Sequence, residues 1–251
     1  MDAQTHLAAV VAEGRRVADL PPASLDAPVA ACPGWDVARL VGHLGRVHAW
    51  AASFLALGPD GGDPDAGPRP PSGADLLPWY QERVEALVEE LGRHDPDEAT
   101  VGFAGPTTVA FWFRRQAHEL AVHRWDAEHA ITPGEEGPLG AELAADGVDE
   151  WLEVFVPRFL ARTGVPDDLV GATLHLHCTD EAGIEGTGEW LLRLTAEGCE
   201  VERAHAKGDA ALRAPAAELF LAVWHRQGMD ALDVVGDATR AEAILDAVHV
   251  T

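Results

Sequence analysis

The segment Arg114-Arg115-Gln116-Ala117-His118-Glu119-Leu120-Ala121-Val122-His123-Arg124-Trp125-Asp126 holds the densest set of side chains able to do chemistry. Its periodicity is helical, and at 3.6 residues per turn Glu119 and His123, four apart, differ by only about 40° in direction. Both can therefore project to one side and hold one cation. Their stripe continues through Trp112, Gln116 and Ala127, so two ionisable groups interrupt an otherwise inward face. A carboxylate there is costly unless it is paired or ligated. The text is not the HExxH of zinc proteases, because His118 and His123 are five apart, roughly 140° around the helix. His118 should point elsewhere. Taken alone, a Glu–His pair at this spacing is more often a plain structural or surface contact.

A third ligand must come from another helix. His43, in Leu40-Val41-Gly42-His43-Leu44-Gly45-Arg46-Val47-His48, borders an apolar stripe. Flanking Gly42 and Gly45 would let a helix or a ligand approach closely. His48, one turn on, is the rival, and a lone His in such a place is more often a satisfied core residue. Two His and one carboxylate, with a position left open for water or substrate, is a composition used for catalytic zinc. In a bundle such ligands come from facing helices. Asp126 either accepts a hydrogen bond that orients His123 or is a surface carboxylate beside Arg124. His175 and His177 make an HxH on one strand face, a spacing that also binds metal, though such a pair is more often the solvated or helix-facing side of a strand.

The elements that must position these groups fall into two halves. Up to about residue 163 the period is helical. Leu7, Val10, Val11, Gly14 and Val17 give a first stripe, ended by Leu20-Pro21-Pro22. Asp36 offers an N-cap for a second helix carrying Val37, Leu40, Val41, Leu44, Val47 and Ala51. Gly58 to Gly73, rich in Gly, Pro and Asp, reads as a loop. A third helix carries Leu77, Tyr80, Val84, Leu87, Val88 and Leu91. A fourth starts after Gly105-Pro106 and runs to about Ala130. A fifth covers roughly Leu139 to Arg162, and Pro157 should kink it or end it early. From Val170 the period becomes two, with strands at Ala172–Cys178, at Trp190–Thr195, after Gly198 and at Asp209–Arg213. A helix beginning near Pro215, a last strand over Leu232–Val235 and a closing helix from Asp237 to about Val248 complete a small α+β domain.

Composition narrows the function. Among 251 residues, 18 Lys and Arg stand against 42 Asp and Glu, a formal charge of −24. Such a surface repels phosphate backbones and anionic headgroups, so neither nucleic acid nor a membrane is an expected partner. Lys207 is the single lysine, and the Ala-, Gly- and Arg-rich text suggests a GC-rich genome. Cys32, Cys178 and Cys199 are sparse, odd in number and form no CxxC, which fits a reducing compartment. The first residues lack the basic region of a signal peptide, and the longest uncharged run, Ala99 to Phe113, is too short and broken to span a bilayer. A cytoplasmic protein is the expectation.

Cys32-Pro33-Gly34-Trp35-Asp36-Val37 followed by Leu40-Val41-Gly42-His43-Leu44 resembles the "CPGW…V…L..HL" signature of the mycothiol-dependent maleylpyruvate isomerase family. The Arg114–Glu128 stretch resembles that family's "R..HE..VHR.DAE" block. Thr179-Asp180 before Gly188-Glu189-Trp190, then Gly208-Asp209-Ala210, Pro215-Ala216-Ala217-Glu218-Leu219, Trp224-His225-Arg226 and Val235-Gly236-Asp237-Ala238, are similar to its carboxy-terminal domain. Where relatives often carry Gly before the Arg of the Trp-x-Arg block, this chain has His225.

The resemblance implies a DinB-like four-helix bundle over 1–163 and, over 164–251, a small α+β domain resembling sterol carrier proteins. It implies a divalent metal, usually zinc, held by residues that map onto His43, Glu119 and His123. Its other cofactor would be mycothiol, the low-molecular-weight thiol of actinobacteria, and its partner a small electrophilic substrate. Within the Trp-x-Arg block, Arg226 either crosses the domain interface to hold a substrate carboxylate, as catalytic residue, or makes a surface salt bridge; Arg46 and Arg115 are weaker candidates. Cys32 reads as a packed turn residue rather than a nucleophile. Trp50, Trp112 and Trp125 could line the pocket. The expected function is a metal- and mycothiol-dependent cis-trans isomerase or thiol S-transferase. Its rivals are a metal-dependent hydrolase of the same bundle type and a non-catalytic small-ligand-binding member.

Overall fold

The computed structural model describes residues 1–180 and 188–248. The chain divides into two compact units, Met1–Gly137 and Pro138–Thr251.

The first unit is built on four long helices, α1 (Ala3–Ala18), α2 (Val37–Leu57), α3 (Leu76–Leu91) and α4 (Val109–Ile131). Side-chain caps fix two of the starts. Asp2 accepts from the Thr5 backbone N–H and Asp36 from that of Arg39, satisfying donors that the helix itself leaves open. Helix α2 packs on α3 and α4, and α1 on the same two partners. The stripes Val10-Gly14-Val17, Leu40-Leu44-Ala51 and Tyr80-Val84-Leu87-Leu91 are buried, as their spacing predicts.

Helix α4 is buried on nearly every side, so its polar groups need partners. Arg124, fully buried, donates to Glu13 at 2.6 Å, to Glu128 at 2.9 Å and to the Gly137 carbonyl at 2.7 Å. Arg16 reaches the same Glu128 carboxylate from α1. This network ties α1 to α4, and removing one partner strands a buried charge, at a cost of about 3–5 kcal/mol.

One element escapes the periodicity. Strands β1 (Ala99–Gly102) and β2 (Gly105–Thr108) form a hairpin inside the uncharged run before α4. Four-residue strands are too short to show alternation, and Gly105, at φ 118°, supplies a turn conformation open to glycine.

The second unit holds a five-stranded sheet of order β5-β4-β3-β6-β7, formed by β3 (Thr173–Cys178), β4 (Glu189–Thr195), β5 (Gly198–Glu202), β6 (Ala210–Ala214) and β7 (Asp233–Gly236). Among the described residues, only β3 and β6 pair in parallel. The expected strands and closing helices fall close to these bounds, with α7 at Ala216–Val223 and α8 at Ala238–Asp246.

The expected fifth helix is three pieces: α5 (Ala141–Glu150), a π-helical turn over Trp151–Phe155, and α6 (Val156–Thr163). Pro157 offers no N–H to the preceding turn, and the wider turn accommodates it. These pieces pack within the second unit, α5 on α7 and α6 on β5. The division after Gly137 therefore differs from the boundary expected at 163/164. After α7, His225 takes φ 56°, a left-handed conformation that glycine adopts without strain. No helix among the described residues is long and apolar enough to cross a membrane.

Candidate metal centre

The turn before α2 is tight. Cys32 N–H donates to the Val29 carbonyl and Trp35 N–H to the Cys32 carbonyl, with Gly34 between them at φ 80°. That turn sets the start of α2 and places Trp35 edge-on to His43, with ring centroids 5.1 Å apart. Helix α2 then presents His43 toward α4, where Glu119 and His123 lie one turn apart.

The three side chains meet. His43 Nε2 lies 3.2 Å from Glu119 Oε1, and His123 Nε2 lies 3.4 Å from the same oxygen. The two imidazoles stand nearly perpendicular, 5.4 Å between centroids. One ligand-type atom from each residue falls within 4.8 Å of the other two. Side-chain exposures of 34%, 20% and 11% for His43, Glu119 and His123 leave an edge of the cluster open to solvent. Behind His123, Nδ1 lies 2.8 Å from the fully buried Asp126 carboxylate. Arg115 Nη2 lies 3.4 Å from the second oxygen of Glu119.

These contacts decide the charges. Burial opposes ionisation of Glu119, but hydrogen bonding with His123 and His43 and the positive charges of His123 and Arg115 hold its carboxyl well below the ordinary range. Burial likewise opposes a charge on His123, yet Asp126 and Glu119 raise it to about 9. A cation entering here competes with a proton for His123. The donor set suits such a cation: two imidazole nitrogens and one carboxylate oxygen converge, and the imidazole that Asp126 engages at Nδ1 is held in one orientation.

Other candidates are placed elsewhere. His48 is fully buried, with Nδ1 2.8 Å from Gln116 Oε1, and it forms a polar pair between α2 and α4. His118 is buried edge-on to His6. Trp50 and Trp112 belong to an aromatic cluster with Phe54 and Phe103, and Trp112 donates to the Val101 carbonyl of the hairpin. Trp125 stacks on His129. Arg226 lies in the second unit just after α7, donating to the Trp224 carbonyl.

Two neighbours of the centre carry no signal in the helical periodicity, and the turn before α2 brings them there. Trp35 reaches His43 only through the turn geometry. Cys32, half-buried, offers a sulfur within 4.8 Å of ligand-type atoms of both His123 and Asp126, and the same turn brings it there.

The family model described as the mycothiol maleylpyruvate isomerase N-terminal domain matches residues 7–128. That of the MDMPI C-terminal domain matches residues 142–243, so the match begins within α5. Two solved structures share the fold across 95% of this chain and 95% of theirs, each at 13% identity. One, at a TM-score of 0.61, is the mycothiol-dependent maleylpyruvate isomerase; the other, at 0.60, is described as a His-to-Ala mutant of the mycothiol-dependent maleylpyruvate isomerase. No curated protein matches the chain in sequence.

Proposed function

The chain belongs to the mycothiol maleylpyruvate isomerase family, whose N- and C-terminal domains it carries in order, and from that premise we propose a metal- and mycothiol-dependent enzyme acting on a small electrophile. The observation that carries this reading is the convergence of His43 Nε2 and His123 Nε2 on one oxygen of Glu119, with Asp126 behind His123. Nitrogen donors in the set favour zinc over magnesium or calcium, which prefer oxygen alone. A divalent ion with an open position supplies Lewis acidity, lowering the pKa of a thiol that joins it and providing thiolate at neutral pH.

The chain's own groups do the positioning. Asp126 fixes the His123 ring, Arg115 steadies Glu119 through its second oxygen, and Trp35 packs edge-on against His43. In an isomerisation, mycothiol held at this site would supply a thiolate that adds reversibly to the substrate's cis double bond. The electron pair would pass to the conjugated carbonyl and return as the sulfur leaves, so that the bond would re-form as trans with no net change of atoms. Release of the adduct instead would make the same site an S-transferase. Arg226 is the proposed partner of a substrate carboxylate, since a guanidinium fork matches that group.

At the level of fold, the pairwise packing of α1 to α4 supports a DinB-like four-helix bundle, and the sheet with α7 and α8 supports a sterol-carrier-like second unit. Three cysteines outside any disulfide fit a cytoplasmic setting. The test is cis-trans isomerisation of maleylpyruvate with and without mycothiol. Turnover that needs the thiol, stops on chelation and returns with zinc supports the proposal. Turnover of an amide or thioether conjugate without thiol would identify a hydrolase instead.

A further inference from the structure

His175 and His177, which the isomerase reading leaves unused, do not stand alone. The antiparallel register sets His177 opposite Glu189 and His175 opposite Leu191, so both imidazoles and the Glu189 carboxylate rise from one face of the sheet. The connection between β5 and β6 brings His205 to the same carboxylate. His175 Nε2 lies 2.9 Å and His205 Nδ1 2.6 Å from one oxygen, Glu189 Oε2. His177 Nε2 lies 3.7 Å from the other oxygen. One ligand-type atom from each of His175, Glu189 and His205 falls within 4.8 Å of the other two. The three rings stand 5.6 to 6.1 Å apart around the carboxylate.

We propose that His175, Glu189 and His205 form a second divalent-cation site, lying wholly within the second unit, with His177 beside it as a further nitrogen donor. The ligand set repeats the two-imidazole, one-carboxylate composition of the first centre on an unrelated scaffold. One carboxylate balances one ion pair, yet three imidazoles gather on it, more nitrogen donors than a structural pair requires. Imidazole ligands select zinc, nickel or copper over magnesium and calcium. His205 is the only one of the three outside the sheet, so the ion would staple the Arg203–Asp209 connection onto β3 and β4. The inference stands independently of the first centre.

The test is zinc content after dialysis at micromolar free zinc and excess magnesium, on the full chain without a histidine tag. The proteins compared are the parent, His205→Ala and Glu189→Gln. The His205 side chain is 79% exposed, so its truncation leaves the packing intact. Each variant is expected to hold one equivalent of zinc fewer than the parent, whatever the first centre holds. His205→Ala is also expected to lose a zinc-dependent rise in melting temperature that the parent shows. Equal zinc in parent and His205→Ala overturns the proposal, as does parent zinc that magnesium displaces.

Discussion

Asp126 is buried beside His123, 2.8 Å from its Nδ1, while Nε2 faces Glu119. Asp126→Ala should lower zinc affinity at the first centre by about 10- to 100-fold while leaving the three ligands in place. Competition against a chelator measures this, and unchanged affinity would show the carboxylate to be packing alone. His48 tests the residue scale differently. Burial outweighs its hydrogen bond to Gln116 and drops its pKa to about 4, so the folded protein keeps it neutral while the unfolded chain protonates near 6.5. A depressed histidine pKa gives stability that is complete above the unfolded value and is lost as pH falls from 6.5 through 4. The loss is of order 3 kcal/mol. Urea midpoints from pH 7 to 4 should fall less steeply in His48→Gln than in the parent; parallel profiles would remove His48 from the account. At this scale the Glu119–His123 pairing was legible because a helix fixes the directions of residues four apart, whereas Asp126 read equally as a surface carboxylate beside Arg124. Trp35 and Cys32 stood out only through the Cys-Pro-Gly-Trp resemblance, because a turn rather than a period carries them to the centre.

Glycines on α2 show what an element asks of its sequence. A Cβ at Gly45 would lie 2.3 Å from the Trp79 ring of α3, and one at Gly42 would lie 3.0 Å from Pro70. The close approach expected beside His43 is thus made by another helix at Gly45 and by the loop at Gly42. Alanine in a helix is ordinarily better than glycine, yet Gly45→Ala should destabilise by about 1–3 kcal/mol because a half-buried indole must move. Adding Trp79→Leu should recover much of that loss. Equal destabilisation in single and double variants, by chemical denaturation, would refute the contact. Helix boundaries were readable from caps, stripes and Pro157. The β1–β2 hairpin was not, since its strands span only two alternations each and its sequence reads only as uncharged.

For the whole molecule, the change of period near residue 170 marked where strands begin, but not where the second unit begins. Helical spacing in Ala141–Glu150 reports a buried face without naming what buries it; α7, about seventy residues later, does so. The same limit applies to the HxH on β3, whose third and fourth partners come from β4 and a distant connection. The proposed chemistry depends on one centre in the first unit. Its most direct measurement is metal content by inductively coupled plasma mass spectrometry, on untagged chain carrying His205→Ala so that only that centre is counted. We predict one equivalent of zinc, lost in each of His43→Ala, Glu119→Gln and His123→Ala while circular dichroism shows the fold retained. Zinc kept by all three, or none bound by the chain with these ligands intact even after reconstitution, would contradict it.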